Sequence, residues 1–308
     1  MAGGASELTL LLPERRRFTG QAVARDIGKI LGRADVLFRA EGERNQLLRH
    51  FDILPKGEWP MAAIGRQADA GDAGDNTWLR ADPCHVRPDI SGVRLLAWGN
   101  LGITAEDAED FLQPLRQLFG DIGLEISAPE PERWYLKLPP EASFPAFSLP
   151  SEGLGEDLLA HLPQGPEAQR WRVLITEAQV ILHNHPRNTT RIAAGLPAVN
   201  SLWFWGGGTL PQSVHCKAAA VVGDEHELRA LAALAGSRNC PADDGSTLID
   251  LRQHREWARL ERGEVGEALR GWRQRYDSLT LDFADGAAFK IAAGQSWRLL
   301  RRPLERFE

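Results

Sequence analysis

Three short segments carry the residue types that could bind an anion or a metal. They read ADPCHVRPD (81–89), LHNHPRNTTR (182–191) and NSLWFWGGG (200–208). Arginine offers a planar, always-charged fork for carboxylate or phosphate, and glycine lets backbone N–H groups converge on an anion. The residues predicted to bind a ligand are Arg87, Asn188, Arg191, Asn200, Trp205, Gly206, Gly207, Gly208, His85, His183 and His185.

Each of these residues also has a purely structural explanation. A His-x-His pair alone is weak for zinc, which takes three or four ligands. His185 precedes a proline, so helix capping is favoured over metal binding. Arg87 and Arg191 could equally form buried salt bridges to Asp82 or Asp89. The triple glycine could be the tight turn after a buried strand, since the chain has no GxGxxG or P-loop lysine there. No metal and no cofactor is predicted.

The elements around these segments alternate between strands and helices. NSLWFW is apolar on both faces, which predicts an inner strand of a covered, largely parallel sheet with the glycines at its C-terminal end. ITAEDAEDFLQPLRQLFGDIG and GPEAQRWRVLITEAQVILHNHP predict helices, and RQADAGDAGDNT predicts a loop. Thr104 is expected to cap the first of these helices, with Asp107 supporting its first turn. LEISAPEPERWYLKLPP and SLTLDFADGAAFKI predict hairpins.

These elements predict an α/β fold with a mostly parallel sheet covered by helices. The core would comprise residues 1–90 and 186–308, and residues 91–185 would form a smaller inserted helix-plus-hairpin subdomain.

Composition narrows the classes of function. The 308 residues are 43% apolar and 25% charged, with a formal net charge of -6 that argues against general nucleic-acid binding. Three cysteines without a CxxC pair favour a reducing compartment. No apolar run approaches the ~20 residues of a membrane span. We therefore expect a cytoplasmic protein without a membrane segment, whose partner is a small anionic ligand or another protein.

The second and third segments together resemble a known family. HPRNTTRIAAGLPAVNSLWFWGGGTLPQ is similar to the HPxNxxRxxxGxxPANxIWLWGxG stretch of archaeal-type cofactor-independent phosphoglycerate mutases, members of the alkaline phosphatase superfamily. The stretch from ADPCHVRPD to WYLKLPP resembles the segment before it, so the resemblance covers roughly residues 78–236. It implies an alkaline-phosphatase-like core. The matched motif positions are Arg87, Asn188, Arg191, Asn200, Trp203, Trp205, Gly206 and Gly208.

Three departures from this family concern its chemistry. The mutases end their first strand in a metal-binding Asp-Gly, whereas this chain reads LLLPERRRF. Their serine nucleophile lies in a PGSDVAN-like segment, and the counterpart PKGEWPMAAIGRQADAG has no serine. Their C-terminal Asp-His set has no equivalent after residue 240. Two-metal phosphoryl transfer needs these groups, so the interpretation leans against an enzyme.

The whole chain resembles the bacterial group labelled "regulatory protein, RpfE type". The first hypothesis is therefore a non-catalytic, mutase-like protein with a regulatory or small-anion-sensing role. The second is an enzyme acting on a phosphorylated or carboxylated small molecule through a rebuilt site, and the third is a structural partner protein. The rebuilt site would need one pocket beside the glycine run that contains Asp82, His85, Arg87, His183, His185 and Arg191.

Overall fold

The chain folds into two compact units. The computed structural model describes residues 6–90, 92–140, 142–240 and 245–307. Unit 1 comprises Met1–Lys56 and Gln212–Glu308, and unit 2 comprises Gly57–Pro211. Unit 2 is wider than the predicted insert of 91–185, because the strand within 57–90 pairs with one strand inside that range and with another after it.

The strands, in chain order, are β1 Glu7–Leu12, β2 Asp35–Phe38, β3 Phe51–Leu54, β4 Thr77–Asp89, β5 Gly92–Trp98, β6 Glu125–Glu130, β7 Arg133–Leu138, β8 Ser201–Gly208, β9 Ser213–Cys216, β10 Ala220–Val222, β11 Thr247–Asp250, β12 Ser278–Phe283 and β13 Ala287–Ala292. The helices are α1 Arg25–Arg33, α2 Glu43–Leu48, α3 Met61–Ala70, α4 Ala105–Gly120, α5 Pro150–Gly153, α6 Ala168–His183, α7 Arg187–Ala193, α8 His226–Leu234, α9 Trp257–Arg262 and α10 Glu264–Gly271. Short 3₁₀ turns lie at Arg15–Phe18, Leu158–His161, Trp272–Gln274 and Gln295–Trp297.

Unit 1 is built on a six-stranded mixed sheet with the order β10-β11-β1-β12-β13-β2. The first four strands are parallel, and β13 and β2 are antiparallel to their neighbours. Side chains alternate between the two faces of a strand. One face of β1 therefore presents Leu8, Leu10 and Leu12, which are buried in the apolar core. The opposite face, here called the polar face, presents Glu7 and Thr9 and, near the C-terminal end of the strand, the buried Leu11.

Unit 2 is built on an antiparallel five-stranded sheet. β4 pairs with β7 and β5 along one edge and with β8 along the other, and β6 pairs with β7. The helices α4 and α6 contribute Phe111, Leu115 and Trp171 to the core on one face of this sheet. Helix α4 begins with the expected capping box, in which Thr104 and Asp107 bond each other's backbone N–H.

The predicted position of the NSLWFW strand is wrong. This strand, β8, belongs to an antiparallel sheet and, within the described residues, pairs with β4 alone, so it lies at an edge. It is apolar on both faces for another reason. Phe204 faces the α4–α6 core, and Trp203 is covered by the irregular segment before α6, where its Nε1 donates to the Ser148 carbonyl at 2.9 Å. Helix α3 and the segment before α6, not the neighbours of a parallel sheet, cover this strand.

Other expectations had mixed outcomes. A mostly parallel sheet is not confirmed, since β3–β9 and all pairs in unit 2 are antiparallel. Both predicted hairpins, β6–β7 and β12–β13, are present. The predicted loop RQADAGDAGDNT begins inside α3, which ends at Ala70 and is closed by Gly71 in the left-handed region. Alanine content sustains this helix although its apolar pattern is weak.

Candidate functional site

The glycine run at the end of β8 is packed against other parts of unit 2. Gly206 and Gly208 have φ of 66° and 150°, a region that favours glycine. A Cβ at Gly206 would lie 3.2 Å from the Ala62 nitrogen, and one at Gly208 would lie 2.7 Å from Pro60 Cβ. A Cβ at Gly207 would collide with the Phe144 ring. The glycines therefore allow the start of α3 and Phe144 to approach the strand closely.

Trp205 belongs to a buried polar cluster. Its Nε1 donates to Asp82 Oδ2 at 2.7 Å, and Arg80 donates to both oxygens of that carboxylate at 2.9 and 3.0 Å. The Arg80 guanidinium also lies 5.0 Å from the ring centroids of Tyr135 and Trp205. Arg80 and Asp82 are 2% and 0% exposed. Removal of one partner from such a buried pair is costly, so the cluster holds the β7–β4–β8 pairing together.

Arg191 is buried and bonded to protein on both arms of its guanidinium. Nη1 donates to Asp107 Oδ2 at 2.6 Å, and Nη2 donates to the Leu101 carbonyl at 2.6 Å. Its carboxylate partner is thus Asp107, not Asp82 or Asp89. The sequence predicted that the Arg191 guanidinium binds a ligand. In the structure it joins α7 to the loop before α4 and to the first turn of that helix.

Asp107 is the acceptor at the centre of this arrangement. Its oxygens accept from Arg191 and, at 2.5 Å, from Arg187 Nε. Burial raises the pKa of Asp107, but the hydrogen bonds of Arg187 and of the Thr104 backbone and the charge of Arg191 outweigh burial and bring the pKa below its usual value. The carboxylate is therefore ionised at neutral pH and fixed in place.

The two predicted asparagines and His85 bond backbone groups. The Asn188 amide donates to the Leu182 and Val199 carbonyls at 2.8 and 2.9 Å. Asn200 accepts from Val86 N and donates to Val86 O, both at 2.8 Å. His85 Nδ1 lies 2.9 Å from the Ala198 carbonyl oxygen. These contacts fix the segment between α7 and β8.

The remaining predicted residues lie apart from this cluster. Arg87 and His183 are exposed, on β4 and at the end of α6. The His185 ring packs 4.7 Å from Phe111, and its Nδ1 accepts from Arg187 N at 3.2 Å. In the part of the chain that the structure describes, no group of three or more histidine, cysteine or acidic residues is placed to hold a metal.

Two aspartates that the sequence analysis missed lie at the C-terminal ends of parallel strands in unit 1. Asp282 of β12 and Asp250 of β11 flank Leu11 of β1 in register. Asp282 is fully buried and accepts from Arg49 Nη2 at 2.7 Å, with His50 Nε2 also at 2.7 Å. Asp250 accepts from Arg252 Nε at 2.8 Å and Nη2 at 2.7 Å.

These aspartates do not fit a two-metal centre. Strand spacing places their Cα atoms roughly 10 Å apart, so a pair of metals about 3.5–4 Å apart between them would need further ligands from β1. Leu11 between them has no ligand atom, and each carboxylate is bonded by an arginine that opposes a cation. The signal in the sequence was an aspartate ending each strand, in STLID and SLTLD, but the arginine partners could not be read from it.

Known proteins match part of this chain in sequence. No protein-family model matches the chain. A probable 2,3-bisphosphoglycerate-independent phosphoglycerate mutase of Geobacter sulfurreducens is 35% identical over 106 residues, which are 33% of this chain and 27% of that protein. The mutase of Methanothrix thermoacetophila is 28% identical over the same length and shares. That of Methanosarcina mazei is 30% identical over 92 residues, 28% of this chain and 23% of the mutase.

A third of the chain is homologous to cofactor-independent phosphoglycerate mutases. The chain spans about a quarter of the length of these curated relatives. Among solved structures, the cofactor-independent phosphoglycerate mutase from Thermoplasma acidophilum aligns with a TM-score of 0.39 at 15% identity, over 94% of this chain and 90% of that one. A Pyrococcus horikoshii protein aligns with a TM-score of 0.43 at 11% identity, over 95% and 89%. The described residues include no helix with the length and apolarity needed to cross a bilayer.

Proposed function

We propose that this protein is a non-catalytic relative of the phosphoglycerate mutases with a regulatory, small-anion-sensing role, as in the RpfE-type group that it resembles. The observation that carries the proposal is the pairing of Asp250 and Asp282 with arginines at the strand ends. A carboxylate that already accepts two charge-assisted hydrogen bonds from a guanidinium is poorly disposed to ligate a cation.

The segment homologous to the mutases supports the same proposal. Asn188, Arg191 and Trp205 bond atoms of unit 2 itself, with Arg191 and Asn188 5% exposed or less. In a chain without the metal set these residues act in packing. The rival enzyme hypothesis requires a shared pocket, and the exposed His183 and the buried, Asp107-bonded Arg191 give it no support.

Metal analysis and mutase assays test the proposal. We expect less than one tightly bound manganese or zinc ion per chain after purification, and no conversion of phosphoglycerate above background with manganese added. The Geobacter sulfurreducens relative, assayed in parallel, is the positive control. Asp282→Asn gives a matched comparison, because it removes the strand-end carboxylate charge. Two bound ions per chain, or an activity that Asp282→Asn abolishes, would contradict the proposal.

A further inference from the structure

A cavity of about 220 Å³ opens on the polar face of the unit 1 sheet, and all of its lining residues belong to unit 1. Its floor includes Thr9 and Thr280, which stand side by side on β1 and β12. They are 7% and 6% exposed. Two hydroxyl groups at the bottom of an open cavity are suited to a polar ligand, since the Thr9 hydroxyl can donate a hydrogen bond and the Thr280 hydroxyl, which donates to Glu7 Oε1, can still accept one.

The wall of this cavity is strongly basic. Arg39, Arg49, Lys217 and Lys290 line it, and among the residues that the structure describes Glu7 supplies the one carboxylate of the lining. This excess of positive charge stands out in a chain with a formal net charge of -6. A concave site lined by one sign of charge concentrates the field of those charges and attracts the opposite ion. An anion is therefore the ligand that the cavity favours.

The basic residues divide into fixed and accessible ones. Arg49 is fixed by Asp282 and by a bond from Nη1 to the Ala40 carbonyl at 2.8 Å. Lys217 Nζ donates to the Arg49 carbonyl at 2.7 Å, which leaves its charge without a carboxylate partner among the described residues. Arg39 is exposed and, within the same residues, forms no ion pair. Two positive charges thus face the cavity uncompensated.

Within the described part of the lining Glu7 is the one acid, and its charge is already paired with that of Lys290. Its Oε1 accepts from Thr280 Oγ1 at 2.5 Å and lies 3.6 Å from Lys290 Nζ. Its backbone N–H donates to Ser246 Oγ at 3.0 Å. Glu7 therefore offsets Lys290 and leaves Arg39 and Lys217 for a ligand.

We propose that this cavity binds a small phosphate-bearing anion, an assignment that rests on the proposed anion-sensing function and gives that function a site. Arginine and lysine together with hydroxyl donors are the groups that bind phosphate oxygens. The volume lies below the roughly 300–1,000 Å³ of sites for drug-sized ligands, so the anion is small. Arg39 and Lys217 contact the phosphate, and Asp282 acts as a positioning residue that holds Arg49.

Calorimetric titration with inorganic phosphate at low ionic strength tests the site. We compare wild type with Arg39→Gln/Lys217→Gln and with a control double variant, Arg17→Gln/Lys29→Gln. All four positions are exposed and lie in unit 1, and both double variants change the net charge equally. We expect the first variant to weaken phosphate binding roughly tenfold or more and the control to bind within about twofold of wild type.

Malonate serves as the second ligand, because it carries two carboxylates and no phosphate. Tighter binding of malonate than of phosphate would overturn the phosphate assignment, as would equal weakening in both double variants or no binding by the wild type. Failure of this proposal is distinct from failure of the proposed function. If phosphate does not bind and no mutase activity is found, the cavity is not the anion site, but the proposed function still stands. If mutase activity is found with manganese, the proposed function is wrong, whether or not phosphate binds.

Discussion

The mutase-like segment of unit 2 and the polar sheet face of unit 1 use arginine in opposite ways. Arg191 in unit 2 is 2% exposed and bonded to a carboxylate and to backbone carbonyls. Arg39 in unit 1 is exposed beside an open cavity. In the segment with the recognisable motif, the buried Asn188, Arg191 and Trp205 are bonded by atoms of unit 2. Arg39 and Lys217, which have no carboxylate partner among the described residues, lie where the sequence shows no motif. The buried motif residues of this chain therefore stabilise unit 2.

The largest effect on stability is expected for Arg191→Ala, which tests the structural role given to this arginine in unit 2. The substitution leaves Asp107 with a charge that Arg191 no longer compensates, and we expect the free energy of unfolding to fall by about 3–5 kcal/mol. Arg87→Ala is the matched control, an exposed arginine from the same predicted set, with an expected change within about 0.5 kcal/mol. Urea denaturation measures both. A stable Arg191→Ala protein that has lost anion binding would reverse the roles given to the two regions.

A smaller effect is expected at the glycine run. Gly208→Ala places a Cβ 2.7 Å from Pro60 Cβ at a φ of 150°, and we expect a loss of about 1–3 kcal/mol. Gly120→Ala, at the end of α4 with no atom within 4 Å of the added Cβ, is the control and should be neutral or slightly stabilising. Phosphate binding should be unchanged in both variants. If phosphate binding is weakened in Gly208→Ala but not in Gly120→Ala, the anion site lies in unit 2.

The pH dependence of stability sharpens the comparison further. The pKa of Asp107 is lowered from 3.8, so its ionised form stabilises the folded state above that pH, and this contribution is lost as the pH falls through the folded-state pKa. Asp107→Asn should therefore be less stable than wild type at pH 7, and the gap should narrow below about pH 4. Urea midpoints of the two proteins at several pH values measure the gap. If the difference in stability between wild type and Asp107→Asn stays constant below about pH 4, the charge of Asp107 does not stabilise the folded state.

The sequence predicted local structure better than it predicted the neighbours of each element. The cap at Thr104 and Asp107 was correct because the interaction spans three residues. The predicted position of β8 was wrong because a strand can be buried on both faces in two ways. It can lie inside a covered parallel sheet, or at the edge of an antiparallel sheet where other segments cover it, and the residue pattern is the same for both. Pairing partners depend on contacts far along the chain, as between Trp205 and Asp82.

The candidate site was harder to predict for a related reason. Arginine types and spacing in LHNHPRNTTR indicate that a carboxylate or an anion is bound, but they do not say which. Asp107 lies 84 residues before Arg191 and was assigned in the sequence only to a helix cap. The cavity residues come from both chain segments of unit 1, as Arg39 and Lys217 do. No single segment of the sequence therefore shows the whole set.

Strand β4 has a consequence for how unit 2 opens to solvent. Trp78 and Arg80 pair with β7 on one edge and with β8 on the other. Each backbone N–H in this stretch can bond only one of the two neighbours, so detachment of β8 frees the amides that bond β8 and leaves the others bonded to β7. Amide protons along the middle of β4 should therefore fall into two classes of exchange with solvent deuterium, one set by the opening of β8 and one by the opening of the β6–β7 hairpin.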